Sequence, residues 1–204
     1  MSETAPPPEG ATDAVFRESD WYAADLGAAR FVGCRFDRVD LTEATSHGAV
    51  FEDCVFDNCR LNSSEHRGTA LLGCEVNRTN LFDSLWDGCK VTGTVFRECT
   101  LRPMRVVGGV WRGAVLRGAD LAKLDLARLD LRESDLSMAV LTGTVLRGAR
   151  LGGATLRDTD LTDADLRDAD LGGVDLAAAR LRRTRLDLAG AIVLAEQHGA
   201  IVEP

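Results

Sequence analysis

The chain has 204 residues, 45% of them hydrophobic, and a formal net charge of -8, which suits one soluble domain with a substantial core. The acidic balance argues against direct nucleic-acid binding through phosphate neutralisation, which needs a basic surface. No run approaches the roughly 18 apolar residues of a membrane span, so no membrane partner is expected.

The opening MSETAPPPEGATD (1–13) has no basic region followed by an apolar one and does not read as a secretory signal. Its Pro and small polar residues predict a disordered tail, and the expected compartment is the cytoplasm. From residue 14 to 186 a single pattern takes over. Stepping by five from Phe16 to Leu186 meets Leu, Phe, Val or Trp at every position except Ser46 and His66. The residue two before each of these centres is small, except at Val39, Met104, Leu124, Leu129 and Val174. A helix repeats every 3.6 residues and a strand every 2, so neither regular element explains a period of five. The backbone itself must turn once per repeat, and units this small must stack into a solenoid to bury their apolar residue.

Cys34, Cys54, Cys59, Cys74, Cys89 and Cys99 all occupy the small inward position. They read as reduced, buried filler and not as a disulfide or zinc framework. Ser46 and His66, twenty apart, are the two polar centres. A Ser–His pair invites a hydrolase reading, but no orienting acid accompanies it, since Glu65 holds an outward position. The expected role is an interior hydrogen bond between two buried polar groups. With no P-loop, dinucleotide fingerprint or metal-ligand spacing either, no catalytic residue, cofactor or metal is expected.

In mid-chain, Pro103, Met104, Gly108, Gly109, Leu124 and Leu129 break the pattern together, which predicts a bend or bulge, because proline cannot donate to a ladder. Acid then collects at Asp158, Asp160, Asp163, Asp165, Asp168, Asp170 and Asp175. The repeat gives way at LDLAGAIVLAEQHGAIVEP. Asp187 is placed as an N-cap and Gly199 as the C-terminal stop of a helix of about eleven residues. Residues 187–204 would then cap the open end, with Leu188, Ile192, Leu194, Ile201 and Val202 as the apolar cap and a possible dimer surface.

The repeat resembles the pentapeptide repeat family, whose consensus A(D/N)Lxx stands in this chain as ADLRD (164–168) and ADLAK (119–123). The resemblance implies an all-β fold, a right-handed quadrilateral β-helix of four pentapeptides per coil, here with a short C-terminal helix. Ser46, His66 and Trp86 then become vertical neighbours on one face. With strands ~4.8 Å apart, the rod would be about 42 Å long. The resemblance further implies a DNA-mimicking protein that binds DNA gyrase or another type II topoisomerase and modulates it or protects it from poisons such as quinolones. In character the chain is similar to the loop-free actinobacterial members, which dimerise through the C-terminal segment, so a homodimer is expected. Bulk charge is a poor imitation of DNA, which carries about one charge per 1.7 Å, so the seven aspartates from Asp158 to Asp175 form the candidate partner-binding collar. The alternative is a non-catalytic interaction scaffold for some other partner.

Overall fold

The computed structural model describes residues 7–203. Fourteen three-residue strands run from Gly10 to Val107, each with its middle residue turned inward. Every pairing is parallel and joins a residue to the one twenty further on, as in Phe31↔Phe51 and Val76↔Phe96. Four pentapeptides therefore close one coil of a right-handed quadrilateral β-helix. Two faces, centred on Phe31 and Phe36, are five strands deep, and the face centred on His66 is four deep. The fourth face, centred on Leu41, is joined by isolated bridges such as Asp40↔Arg60.

The corner lies two residues after each centre. There the backbone takes φ > 0, as at Gly33, Gly73 and Asp163, which explains why glycine and short polar residues collect at that position. Tight sides, present earlier at Trp21, Leu26, Leu41, Leu61 and Leu81, become general from Trp111 onward. Ala114 N–H donates to the Trp111 carbonyl at 3.1 Å and Leu124 N–H to the Leu121 carbonyl at 3.2 Å, turns of type II with φ > 0 at the third residue. Bridges continue at twenty-residue spacing to Asp165↔Arg185. The core changes with the backbone: the first coils stack phenylalanines, with Phe36 and Phe56 ring centroids 4.6 Å apart, and leucines fill it from Leu116 on.

The first strand, Gly10–Thr12, pairs with Arg30–Val32. This corrects the expectation of a disordered tail over 1–13, whose residues 1–6 lie outside the described residues. Ala11 continues the period of five as a small centre, and the first coil's open edge takes it as a pairing partner. Gly10 is obligatory there, because an added Cβ would lie 2.5 Å from the Arg30 carbonyl oxygen.

The mid-chain break falls between the coils holding Val106 and Leu126. Bridges persist on two faces, Lys90↔Val110 and Val95↔Val115, while none joins residue 100 to 120 or 105 to 125. The rod thus opens on two adjacent sides. Met104 and Leu124 stand next to the corner between those sides, buried, one above the other in the position that is small in most repeats.

At the far end, the helix Leu188–Gln197 begins at Asp187, whose carboxylate accepts from Gly190 N–H, and Gly199 follows with φ 83°. Val193 and Leu194 pack on the last coils, and Gly190 is buried against Leu186 and Leu171. Among the described residues no helix is long and apolar enough to cross a membrane.

Candidate interaction surface

Asp160, Asp165, Asp170 and Asp175 each stand one residue before a centre on four successive faces, so this acid rings the rod. Asp158, Asp163 and Asp168 sit at the intervening corners, exposed and with φ near 60° at each. Arginines from this and neighbouring coils divide the seven. Asp163 holds Arg183 in a two-point contact at 2.7 and 2.6 Å, and Asp165 holds Arg167 at 2.8 and 2.6 Å. Arg147 Nε lies 3.0 Å from Asp168. The Arg167 hydrogen bonds pull the Asp165 carboxyl down to about 2, and Arg183 lowers that of Asp163. Asp158, Asp160, Asp170 and Asp175 form no ion pair among the described residues. Three of them brace the backbone: Asp160 accepts from Thr162 N–H at 2.9 Å, Asp170 from Gly172 N–H at 3.1 Å and Asp175 from Ala178 N–H at 3.2 Å. Sequence reasoning overlooked the neighbouring basic cluster, Arg180, Arg182, Arg183 and Arg185, all exposed on two adjacent sides. The run RLRRTR was the available signal.

The C-terminal apolar set splits in two. Leu194 is half-buried against the core and Ile192 half-buried, while Leu188, Ile201 and Val202 are exposed at 78%, 90% and 40%. A residue not foreseen, Gln197, ties the helix to the last coil. Its Oε1 accepts from Leu176 N–H at 2.9 Å and Ala177 N–H at 3.2 Å, and its Nε2 donates to the Val174 carbonyl at 2.6 Å. The side chain thereby satisfies strand groups that another coil would otherwise pair. Asp187 adds a second tie by accepting from Asp168 N–H at 2.7 Å.

Ser46 and His66 do meet, with Ser46 Oγ 2.7 Å from His66 Nδ1, and both are sealed from solvent. Ser64 Oγ lies 3.0 Å from His66 Nε2 and 2.7 Å from the Leu61 carbonyl. The Leu61 carbonyl takes the Ser64 proton, so Nε2–H must donate to Ser64. Nδ1 is then the acceptor for Ser46, which accepts in turn from Thr69 Oγ1 at 2.7 Å. Every polar atom of this chain is satisfied by a neutral imidazole, and burial lowers the His66 pKa to about 4. Such a serine has neither a charged base nor a path to substrate. The cysteines are free, each thiol turned to a backbone carbonyl, as Cys59 is to that of Phe36 at 3.3 Å. Burial raises Cys59 and Cys89 to about 11, which leaves them protonated and unreactive. Among the described residues no group of three or more His, Cys, Asp or Glu is placed to hold a metal ion.

Comparison with known proteins places this geometry. Pentapeptide repeat protein MfpA of Mycobacterium tuberculosis is 38% identical over 74 residues, which span 36% of this chain and 40% of that protein. A trypsin-treated variant of QnrB1, a plasmid-mediated fluoroquinolone resistance protein, has the same fold at a TM-score of 0.54 and 22% identity, over 96% of this chain and 90% of its own. HetL of the cyanobacterium Nostoc sp. strain PCC 7120, a pentapeptide repeat protein involved in heterocyst differentiation regulation, aligns over 86% of each chain at 25% identity and a TM-score of 0.36. The model of pentapeptide repeats matches in eight copies over residues 12–45, 22–58, 34–65, 112–148 and 146–183. With more than half of the chain inside that model and a coil of four five-residue sides throughout, the chain belongs to the pentapeptide repeat family.

Proposed function

We propose that this protein binds DNA gyrase or another type II topoisomerase without catalysing a reaction, and modulates the enzyme or protects it from poisons such as quinolones. The observation that carries the reading is the ring of acid around the rod, at Asp158, Asp160, Asp170 and Asp175, which leaves carboxylates free of arginine on several sides at one level. A surface of this kind fits a basic saddle that otherwise holds duplex DNA. Family membership and the likeness to MfpA support it. Exposed Leu188, Ile201 and Val202 supply a homodimer contact at the C-terminal end, and the cytoplasm is the matching compartment.

A second reading, a non-catalytic scaffold for another partner, draws on the arginines that neutralise Asp163, Asp165 and Asp168. One experiment separates the two: equilibrium binding of the purified protein to purified gyrase, with linear duplex DNA as competitor. Saturable binding that DNA displaces, and that Asp158→Lys with Asp170→Lys weakens at least tenfold, is the expected result. Absence of binding at tens of micromolar would leave the scaffold reading.

A further inference from the structure

Across the mid-rod break the two open faces differ. On the Leu41 face, Arg102 reaches over to the Asp120 carboxylate at 2.9 and 2.7 Å and replaces the lost ladder contact. On the His66 face no side-chain hydrogen bond crosses among the described residues. Here Val106, Gly108 and Asp125 N–H donate to no protein acceptor, and the carbonyls of Met104, Asp125 and Ala127 accept from no backbone donor. One coil to either side the same ladder is intact, with Gly88 N–H to the Val107 carbonyl at 2.9 Å and Leu126 N–H to the Val145 carbonyl at 2.8 Å.

The unpaired edges open into a groove of about 830 Å³ whose lining includes Val106, Val107, Ala127, Val145, Arg128 and Arg147. Val107 is 56% exposed, an unusual state for a large aliphatic side chain on this rod. Arg105, beside the groove, and Arg128, in its wall, are exposed and have no carboxylate within ion-pairing distance among the described residues; Arg147 pairs with Asp168. Asp125 also lines the groove, but its Oδ1 is turned back onto Ala127 N–H at 3.0 Å.

We infer that this groove is a docking site for an extended, acidic peptide segment of a partner protein, which adds its backbone to the open strand edges. Free donors and free acceptors alternate along both edges, and a peptide strand complements both kinds, whereas a phosphodiester chain offers acceptors alone. Main-chain hydrogen bonds supply the affinity in strand addition and side chains the selectivity. The apolar patch at Val106, Val107 and Val145 takes alternate aliphatic side chains, and Arg105 and Arg128 select for acid. The closed back of the wedge, on the Phe31 and Phe36 faces, holds the two coils at a set separation. Asp168 of the acidic collar also lines the groove, held by Arg147 at 3.0 Å; docking here rests on the open strand edges and does not depend on the topoisomerase reading.

The test uses the whole protein, labelled with nitrogen-15, and three probes: a blocked octapeptide of alternating Glu and Val, its Lys–Val counterpart, and an oligonucleotide of eight thymidines. Saturable binding of the Glu–Val peptide, at least tenfold slower exchange of the Val106, Gly108 and Asp125 amides, and weaker binding of the Lys–Val peptide are expected. Arg105→Glu with Arg128→Glu should reduce affinity for the Glu–Val peptide at least tenfold. Both side chains are exposed, and Glu98 and Glu133 already occupy the backbone conformation of Arg128, so the variant should keep the parent's amide spectrum elsewhere. Absence of Glu–Val binding at millimolar concentration, binding that leaves those three amides unprotected, or protection by the oligonucleotide in its place would each overturn the proposal.

Discussion

At the scale of single residues, the repeat tolerates polar exceptions where each hydrogen has one destination. His66 replaces the usual leucine because Ser46, backed by Thr69, donates to its Nδ1 and Ser64 accepts from its Nε2–H, and Ser84 repeats the acceptor role one coil on by accepting from Trp86 Nε1–H at 3.0 Å. This makes His66 a source of acid sensitivity. Its pKa is about 4 when folded against about 6.5 unfolded. Above pH 6.5 it is neutral in both states, so its contribution is complete. As pH falls from 6.5 to 4 the unfolded chain takes up a proton that the folded chain refuses, and up to about 3 kcal/mol of stability is lost. Urea melts at pH 7.0 and 4.5 check this: His66→Leu should lose less stability between the two than the parent, while the carboxylates contribute alike in both. A second residue-scale expectation concerns Gly109, which has φ 104° and where a Cβ would lie 2.4 Å from the Cys89 carbonyl oxygen. Gly109→Ala should cost about 1–3 kcal/mol through backbone displacement, read as a lower urea midpoint, whereas Gly118→Ala, with open space around it, should cost less.

At the scale of elements, the sides of the coil were legible because one apolar and one small residue per five positions describe a repeating inward turn. The break was legible too, since Met104 and Leu124 are large where the interior corner requires small, and two such residues twenty apart must open the stack between them. Other features depend on distances that no local pattern contains. Whether Asp163 is free or neutralised depends on Arg183 of the next coil, and Arg147 reaches Asp168 diagonally. The first strand escaped notice because Ala11 lacks the bulk that marks nearly every other centre. Gln197 escaped because its role follows from how far the helix carries it back over Val174 and Leu176. That anchor can be tested. Gln197→Ala removes three hydrogen bonds and leaves two strand N–H groups unpaired, a loss of about 1–3 kcal/mol. The helix and last coil should unfold ahead of the rod, seen as faster amide exchange at Leu176 and Ala177 with exchange at Leu131 unchanged.

At the scale of the whole molecule, the two ends are built differently, and this bears on assembly. Among the described residues the first coil ends in a parallel strand, Gly10–Thr12, with no helix over it, whereas the last is covered by a helix that turns Val193 and Leu194 inward and leaves Leu188, Ile201 and Val202 in solvent. A cap needs only the inward pair; the outward set has no use within one chain. Its burial against a second copy would remove apolar surface at about 25 cal/mol per Å² and, by two-fold symmetry, would bring the two arginine clusters from Arg180 to Arg185 close together with the acidic rings beyond them. Repulsion between the arginines predicts a dimer that tightens as salt rises, because screening weakens the charges and leaves the apolar contact in place. Sedimentation equilibrium of the parent between 50 and 500 mM salt should therefore show a falling dissociation constant. Leu188→Asp with Ile201→Asp should sediment as a monomer at every salt concentration, with the circular dichroism of the coil unchanged. A parent that stays monomeric throughout, or a variant that still dimerises, would place the contact elsewhere on the rod.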